Sequence, residues 1–407
     1  MSADHSLPTE QLCYPTLTLP TFGEQLRQLR LSARMSQSGL AKAAGVSRST
    51  VRNAEQGEIN PSAETRRKLL DAVGFTSTDS WSVDLIYAPN YSPIALASEL
   101  TERCNAAGGQ LDQMHLYLDG QSASDWLKYA NDPNVVANFR MKLPLEQLAS
   151  LAAKGCTEGM EIVALGCGDG MSETRLASHF ADLLPKPLDL SMVLMDISHG
   201  LLHTAYTHAA DTLDKKKVRI HPAHGDFYGL VRYPLVSHRP TGSERRRVWT
   251  LLGGTAGNLN DELQFFRDLR DLSRSGDFVI IDTNIAQADA GNLEAIRKAD
   301  HAVTGPVFPA FERWLAGPLR RHCVDLATVK IRIEVHNNTM IRGAYELHFL
   351  ADVVMRDGTR RTYLACRVRR YDTAQLSEAL LRTGWRTVKV LPYGQPARCA
   401  ALMLKRE

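Results

Sequence analysis

Residues 161–171 read EIVALGCGDGM, and the fold class of this chain follows from them. Residues 162–165 form a short apolar run bounded by turn residues, which predicts a buried parallel strand rather than a helix. The glycines that follow, Gly166, Gly168 and Gly170, allow backbone angles and a close approach to a ligand that side chains would forbid. Residues 172–180 (SETRLASHF) predict a helix whose N-terminal N–H groups face that ligand.

The spacing of these glycines distinguishes two kinds of cofactor site. Dinucleotide-binding loops follow G-x-G-x-x-G, whereas this loop reads G-x-G-x-G with Met171 where the third glycine of that pattern would fall. The spacing resembles the first motif of the S-adenosylmethionine (SAM) dependent methyltransferases. Structural tight turns use the same residues, so an α/β fold with coincidental turns stays open as the alternative.

Three later features occur in the order that this resemblance requires. Asp196 ends a second apolar run, at the strand end where nucleotide-binding sheets place a carboxylate on ribose hydroxyls. Asp226 and Phe227 follow a third predicted strand at residues 218–221. In class I methyltransferases an acid here lies by the adenine amino group, and a neighbouring aromatic ring packs on the adenine. Gly253 lies in a glycine-rich turn after a fourth predicted strand. The resemblance therefore implies SAM as the cofactor.

Length and composition limit the number of domains and the classes of partner that this chain can have. A chain of 407 residues is long enough for two or three domains with full cores. A net charge of +3 gives no global electrostatic reason to expect nucleic acid. We expect no membrane partner and a cytoplasmic location, because the sequence has no apolar leader and no apolar stretch long enough to cross a bilayer. The seven cysteines are scattered without metal-ligand spacing, so we expect no metal.

Residues 22–75 carry a second pattern. The run L-A-x-x-A-G-V-S at residues 40–47 predicts a short helix, a glycine turn and a serine cap. Ser36-Gln37 precedes it, and S-T-V and E-x-G follow it, in the order of the Cro/repressor (XRE) type helix-turn-helix, which this segment resembles. The apolar side chains expected in its small core are Phe22, Leu26, Leu29, Leu40, Leu69, Leu70 and Val73.

By that resemblance the helix that begins at Ser47 is a recognition helix for double-stranded DNA. Its candidate phosphate and base-edge contacts are Arg48, Ser49, Thr50, Arg52 and Asn53. The basic excess of the unit is small. Two alternatives therefore stay open: a solvated helix surface, and a module for protein docking or for a homodimer.

We divide the chain into five segments: a flexible lead-in at 1–21, the helix-turn-helix at 22–75, a linker and helical substrate-side segment at 76–142, the SAM-binding core at 143–290, and a substrate or lid domain at 291–407. Late strands are expected at 330–335, 345–354, 361–369, 387–391 and 400–405. We expect them to form an extra sheet over the carboxyl ends of the parallel strands. The predicted fold class is α/β: a class I, Rossmann-like methyltransferase sheet with an additional α+β lid domain, after an all-α helix-turn-helix domain.

The turn after the fourth strand narrows the family. Residues 253–258 read GGTAGN, and together with the Asp196 and Asp226 motifs they resemble the histidine-specific SAM-dependent methyltransferases. That is the family of the ergothioneine-pathway histidine Nα-methyltransferase, whose motif here is GSTIGN. The resemblance implies methyl transfer to the α-amine of an amino acid. It also implies that Asn258 holds the amino group, that Thr255 contacts substrate, and that Tyr117 matches an active-site tyrosine.

The late strands depart from this family. Where the family reads the substrate imidazole with a Glu-Ser-Ser stretch, this chain has Cys366-Arg367-Val368, and Leu347 stands for a methionine. Mismatched polar groups discriminate strongly between substrates, so we expect a substrate other than histidine. Arg367 or Arg369 would pair with a carboxylate or phosphate on it. The alternative is that these arginines form the solvent face of a strand.

Three functions stay open on sequence grounds. The first is a SAM-dependent methyltransferase that N-methylates an amino acid or an amine-containing metabolite. The second is a transcription regulator whose methyltransferase-like domain senses SAM or a metabolite. The third is a methyltransferase-fold enzyme recruited to another reaction, such as a ring closure. No general base is assignable, although a tyrosine or solvent would serve.

Overall fold

The computed structural model divides into two compact units, Met1–Val83 and Asp84–Glu407. It describes residues 26–27, 30, 35–56, 58–59, 61–62, 65, 68–69, 72, 86–87, 93–118, 120–185, 190–214, 218–232, 245–286, 308–337, 340–394 and 398–407. The expected lead-in and the predicted core positions Phe22, Leu29, Leu70 and Val73 lie outside the described residues. The segment boundaries within the second unit stay predictions.

In the first unit, helices α1 (Gln37–Ala44) and α2 (Arg48–Glu55) form a helix-turn-helix. Gly45 ends α1 with a left-handed φ of 64°, a conformation that strongly favours glycine. Ser47 caps α2, because its hydroxyl accepts a hydrogen bond from the Thr50 N–H. The buried apolar core consists of Leu26, Leu40, Ala41, Ala44, Val51, Ala54 and Leu69.

Glu55, the acid of the E-x-G match, is a structural residue of this unit. Its Oε1 accepts a hydrogen bond from Arg30 Nε at 2.5 Å, and its Oε2 accepts one from Gln37 Nε2 at 2.8 Å. Burial raises the pKa of Glu55, but these hydrogen bonds outweigh burial and the pKa lies below its ordinary value. The hydrogen bond from Gln37 therefore ties α2 to α1, and the ion pair with Arg30 ties α2 to the segment before α1.

The second unit alternates helices and strands. Its helices are α3 (Pro93–Asn105), α4 (Gly120–Ala130), α5 (Pro133–Asn138), α6 (Leu145–Ala153), α7 (Met171–Leu183), α8 (His199–Thr212), α9 (Glu262–Asp271), α10 (Phe308–His322) and α11 (Thr373–Leu381). Its strands are β1 (Ile86–Tyr87), β2 (Gly109–Gln110), β3 (Met160–Leu165), β4 (Leu190–Asp196), β5 (Val218–His224), β6 (Arg246–Leu251), β7 (Phe278–Asn284), β8 (Leu326–His336), β9 (Tyr345–Met355), β10 (Arg360–Arg370), β11 (Trp385–Tyr393) and β12 (Cys399–Arg406). Among the described helices, none combines the length and apolar character needed to cross a bilayer.

The main sheet has eight strands in the order β1-β5-β4-β3-β6-β7-β12-β11. All neighbours from β1 to β7 in this order run parallel. Strand β12 runs antiparallel to β7, and β11 runs antiparallel to β12. The strand predicted from the opening stretch, β3, lies inside this sheet and is buried on both faces. Ile162 and Ala164 belong to the core on one side, and Val163 and Leu165 to the core on the other. The chain therefore has the doubly wound α/β fold of a class I methyltransferase.

The expectation that all late strands form one extra sheet is wrong for the last two. Strands β11 and β12 extend the main sheet through β7, while β8, β9 and β10 join β2 in a separate four-stranded sheet of order β2-β10-β9-β8. The physical reason is burial. In β12 every residue from Cys399 to Leu404 is buried, as a strand covered on both faces requires, whereas β9 alternates along most of its length.

A bulge in β10 decides which of its side chains face the main sheet. Tyr363 pairs with Ala351, but the register shifts between Leu364 and Cys366, so that Cys366 pairs with Phe349. One extra residue moves every later side chain to the opposite face. Cys366, Val368 and Arg370 consequently share a face with Tyr363. Arg367 and Arg369 lie on the other face in this register, and their role as substrate contacts stays a prediction.

Arg369 instead holds the second sheet to α9. Its guanidinium pairs with Glu346 at 2.7 Å and Glu262 at 2.8 Å, and also donates to the carbonyl oxygen of Leu259. We expect Arg369→Ala to lower the free energy of unfolding by about 3–5 kcal/mol, because it leaves two buried carboxylates without their cation. Arg367, next but one on the same strand face, is the matched control. It lies 4.0 Å from Glu346 and is partly exposed, so Arg367→Ala should cost about 1 kcal/mol or less. Urea unfolding measures both, and equal losses would contradict this assignment.

Candidate active site

A cavity of about 380 Å³ lies at the carboxyl ends of the parallel strands. Its volume is in the range typical of small-molecule sites. The predicted site residues that line it are Gly166, Gly168, Asp196, Asp226, Phe227, Gly253, Thr255, Asn258 and Tyr117. Two predicted residues are not in the lining. Arg367 lies on the other face of β10. Gly170 is the N-cap residue directly before α7, and an added Cβ there would come within 2.8 Å of Ala205 Cβ.

The glycine loop forms one wall of the cavity. Gly166, Gly168 and Gly170 have left-handed φ angles of 68°, 57° and 71°. At Gly168 space is also limiting, because a Cβ would lie only 2.7 Å from the indole of Trp126. Trp126 belongs to α4, far from the loop in sequence, and its ring lies directly over the backbone of the loop. Gly168 thus provides the backbone angle that the motif predicts and leaves room for the ring of Trp126, while the close approach to a ligand stays a prediction.

Asp196 lies at the end of β4 beside this loop. Its Oδ2 accepts the N–H of Gly168 at 2.8 Å, and its Oδ1 accepts the N–H of Ser198 at 2.8 Å. Burial raises the pKa of Asp196 to about 6, although these hydrogen bonds act in the opposite direction. A fixed carboxylate at this strand end is the arrangement that binds ribose hydroxyls in nucleotide sites.

We expect SAM affinity to depend on pH, because Asp196 is predicted to bind the ribose of the cofactor and burial raises its pKa. Below about pH 6 Asp196 is protonated in the free protein, and the stronger hydrogen-bond acceptor is lost. Affinity should therefore be level above that pH and fall by up to about tenfold per unit below it. Calorimetric titrations from about pH 5 to pH 8 test this, with Asp196→Asn as the control because an amide does not titrate. A wild-type curve that runs parallel to the curve of the Asp196→Asn control would contradict the assignment.

The end of the cavity beyond Asp196 matches an adenine site. Asp226 accepts the N–H of Tyr228 at 3.0 Å and has a pKa raised by burial. The ring of Phe227 packs against Tyr228 and Phe265, which holds its orientation. Both Asp226 and Phe227 line the cavity. We therefore expect the acid to hydrogen-bond to a purine and the aromatic ring to stack on it, as the sequence predicts.

The loop after β6 carries a polar atom that has no partner among the described residues. Asn258 lines the cavity, and its Oδ1 is buried without a hydrogen bond to any of them. Thr255, by contrast, donates its hydroxyl to the carbonyl oxygen of Leu252 at 2.9 Å. A buried amide oxygen without a donor is costly unless a ligand supplies one. Asn258 therefore has the geometry of a residue that binds a ligand N–H.

Five aromatic side chains also line the cavity and form an aromatic wall. It consists of Tyr117, Trp126, Tyr129, Phe311 and Trp314, which contact one another at centroid distances of 5.0–6.5 Å. Burial raises the pKa of Tyr117 far above its ordinary value. Its phenol is therefore protonated at neutral pH and can orient a substrate, but it cannot remove a proton from one.

The acids in the lining that were not predicted from the sequence include Glu173 and Asp282. Glu173, in the first turn of α7, is buried, and burial raises its pKa to about 8. Asp282, at the end of β7, is 7 % exposed, and burial also raises its pKa. Both had a sequence signature, since one follows the glycine loop and the other ends an apolar strand. Arg370, which lines the cavity on the face that we expected for Arg367, was missed because of the bulge in β10.

The side chains expected to select histidine are apolar or neutral here. Leu347 and Val368 are register partners on β9 and β10, and both line the cavity. Cys366 lines it as well, and burial raises the pKa of this thiol to about 12, so the thiol is protonated. This part of the wall therefore lacks the acid and the hydroxyls that read imidazole in the family.

One group of side chains, of which Asp112 also lines the cavity, has the composition of a metal site. Ligand atoms of Glu99, Asp112 and His115 lie within 4.8 Å of one another. Arg103 pairs with Glu99 at 2.7 Å and with Asp112 at 3.1 Å. Its guanidinium pairs with both carboxylates and offsets part of their negative charge, which lowers their attraction for a cation.

The exposed side chains of α2 form a second candidate surface, in the first unit. Arg48, Ser49 and Arg52 are exposed, and Thr50 and Asn53 are half-buried. The hydroxyls of Ser49 and Thr50 contact Ser47, and Arg52 Nε donates to Asn53 Oδ1 at 3.2 Å. The two arginines therefore extend from one exposed helix face.

Comparison with known proteins gives two family matches. Residues 21–80 match a helix-turn-helix domain, and residues 144–304 match the histidine-specific, SAM-dependent methyltransferases. No curated protein matches the chain.

Solved structures similar to this chain include three methyltransferases. They are the CcbJ methyltransferase from Streptomyces caelestis (16% identity, 65% of this chain and 97% of that chain, TM-score 0.33), magnesium protoporphyrin IX methyltransferase from Synechocystis PCC 6803 (11%, 72% and 97%, 0.40) and the sugar N-methyltransferase KedS8 from Streptoalloteichus sp ATCC 53650 (15%, 70% and 93%, 0.34).

The cofactor of the matched family is SAM, and the described residues fit it. A glycine loop with no room for side chains, a buried carboxylate at the end of β4 and an acid–aromatic pair after β5 lie in the required order along one cavity. The chain thus matches, in order, a helix-turn-helix domain at residues 21–80 and the histidine-specific, SAM-dependent methyltransferases at residues 144–304.

Proposed function

We propose that this protein is an N-methyltransferase that acts on an amino acid or amine-containing metabolite other than histidine. The Oδ1 of Asn258 carries the proposal, because it is a buried acceptor without a described partner that a substrate amine would satisfy. Asn258 lies in the loop after β6, which matches the family motif. Strand β6 is the neighbour of β3, the strand that leads into the glycine loop.

The demands on the protein are mainly geometric. Bound SAM supplies an electrophilic methyl group on a sulfonium. Asn258 Oδ1 accepts one N–H of the acceptor, which turns the nitrogen lone pair to a fixed direction. The aromatic wall excludes water from the line of transfer. Tyr117, held protonated by burial, offers an O–H donor to the substrate rather than a base.

The substrate-facing wall supports an acceptor other than histidine. Leu347, Cys366 and Val368 offer no ionised group to an imidazole. An imidazole placed against them would lose its hydrogen bonds to water without replacement, at a cost of about 1–3 kcal/mol for each unsatisfied group. An apolar or aromatic side chain loses nothing there.

Methyl transfer from isotopically labelled SAM to a panel of amino acids and small amines tests the proposal. We expect label on the nitrogen of an amine with an apolar body, and transfer to free histidine at least about tenfold slower. Histidine as the best acceptor would overturn the substrate assignment. Label in none of the amines, with SAM binding intact, would overturn the enzymatic proposal.

The exposed arginines of α2 favour a second candidate function, a regulator that binds double-stranded DNA. Arg48 and Arg52 lie on the helix that the family motif assigns to recognition. A fluorescence-anisotropy titration of the full chain with its own promoter should then show sequence-specific, salt-sensitive binding.

Arg52→Ala should weaken this DNA binding by about tenfold. Arg382→Ala, at an exposed arginine of the second unit, is the matched charge control. Equal binding by both variants would count against the DNA assignment.

A further inference from the structure

The carboxylate of Asp282 lies at the inner end of β7 and lines the cavity. Its Oδ1 accepts the N–H of Gly254 at 3.0 Å, and its Oδ2 accepts the hydroxyl of Tyr393 at 2.7 Å. Tyr393 ends β11, two strands away in the same sheet. Two separate elements thus hold both oxygens of one buried carboxylate.

Both of these donors are neutral. A buried carboxylate that is only hydrogen-bonded still loses most of its hydration, and a cation beside it recovers part of that loss. Burial raises the pKa of Asp282, as expected for an acid whose charge is incompletely compensated. The carboxylate is therefore arranged to accept a positively charged group from the cavity.

Strand order places Asp282 away from the predicted ribose and adenine contacts. Asp196 ends β4 and the glycine loop follows β3, whereas Asp282 lies two residues before the end of β7, on the other side of β6. Neighbouring strands lie about 4.8 Å apart, so β7 is about 10 Å from β3. Between them lies the loop after β6, which contains both Gly254 and Asn258. Asp282 is consequently on the acceptor side of the cavity and bonded to the loop that carries Asn258.

We propose that Asp282, oriented by Tyr393, binds the ammonium group of the methyl acceptor and takes its proton. The inference rests on the proposed N-methyltransferase function and adds the ionic state and chemical class of its substrate. The acceptor is an ammonium on an apolar or aromatic body, which the wall of Tyr117, Tyr129, Phe311 and Trp314 contacts.

The proton step is balanced within this pair of groups. One N–H bond of the ammonium breaks, its electron pair stays on nitrogen, and the proton forms an O–H bond on Asp282. The nitrogen then uses that pair to form the new C–N bond, while the electrons of the breaking C–S bond stay on sulfur. Asn258 Oδ1 accepts a second N–H and holds the nitrogen in line.

Calorimetry on the protein saturated with S-adenosylhomocysteine tests the binding step without turnover. The probes are 2-phenylethylammonium and its neutral counterpart 2-phenylethanol. We expect the wild type to bind the cation more tightly than the alcohol. Asp282→Asn should lower the affinity for the cation by about tenfold or more and leave the affinity for the alcohol unchanged. Tyr393→Phe keeps the Asp282 carboxylate and should therefore still bind the cation more tightly than the alcohol. This variant can be measured even if Asp282→Asn does not fold.

The outcomes separate this inference from the proposed function and from the cofactor's own ammonium. No preference for the cation in the wild type, or equal cation affinity in Asp282→Asn, overturns the inference. A variant that loses S-adenosylhomocysteine but keeps 5′-methylthioadenosine, which has no amino-acid part, would assign Asp282 to the cofactor and also overturns it. Cation binding through Asp282 together with no methylated amine would reject the proposed function and leave the Asp282 site standing.

Discussion

The Asp196→Ala variant is expected to bind SAM at least about a hundredfold more weakly than the wild type. Two hydrogen bonds from ribose hydroxyls to a carboxylate contribute about 1.5–3 kcal/mol each, and both are lost. The substitution also frees the N–H groups of Gly168 and Ser198, so the loop itself loses an anchor. Isothermal titration of SAM above pH 7, where the wild-type carboxylate is ionised, measures the change.

Asp211→Ala is the control for this variant. Asp211 is an exposed acid on α8, the helix that follows β4, and its removal changes net charge by the same amount. It should bind SAM like the wild type. Wild-type SAM affinity in Asp196→Ala would show that the ribose binds elsewhere. The acids along the cavity would then have to bind a ligand other than SAM.

The Asn258→Ala variant is expected to transfer methyl groups at least about a hundredfold more slowly, with SAM affinity changed by no more than about twofold. The amide oxygen accepts no hydrogen bond from a described residue, so its removal should not disturb the fold. What is lost is the orientation of the acceptor nitrogen. Single-turnover transfer to the acceptor found in the labelling screen measures the rate, and calorimetry measures SAM affinity.

Asn258→Asp distinguishes this role from a structural one. Aspartate keeps an acceptor oxygen at the same position, so part of the rate should return, whereas a packing role would not be restored by a charged side chain. A full rate in Asn258→Ala would remove the residue from the site. Loss of SAM binding together with the rate would assign the asparagine to the cofactor.

Local sequence was sufficient for the half of the site that we expect to bind the cofactor. The strand–glycine–helix unit at 161–180 is contiguous, and its backbone angles follow from the absence of side chains at Gly166 and Gly168. Asp196 and Asp226 were predictable because the carboxyl ends of parallel strands meet at one edge of the sheet. The helix-turn-helix was readable for the same reason, since its caps and turn lie within a few residues of one another.

The half of the site that we expect to bind the methyl acceptor could not be predicted from local sequence. The faces of Arg367 and Arg370 depend on one bulged residue in β10, and a period-of-two pattern carries no mark of where the bulge falls. The ring of Trp126 over Gly168, and Tyr393 on Asp282, join residues that are distant along the chain.

The sequence alone determined the class of fold, the cofactor and the order of the contacts expected with it, because those depend on short segments whose geometry is local. Only the tertiary structure decided that β11 and β12 complete the main sheet, that Arg369 is a buried structural cation and that Asp282 faces the cavity. Pairing between distant strands is set by which apolar faces can be buried together, and that is a property of the assembled core rather than of any one segment.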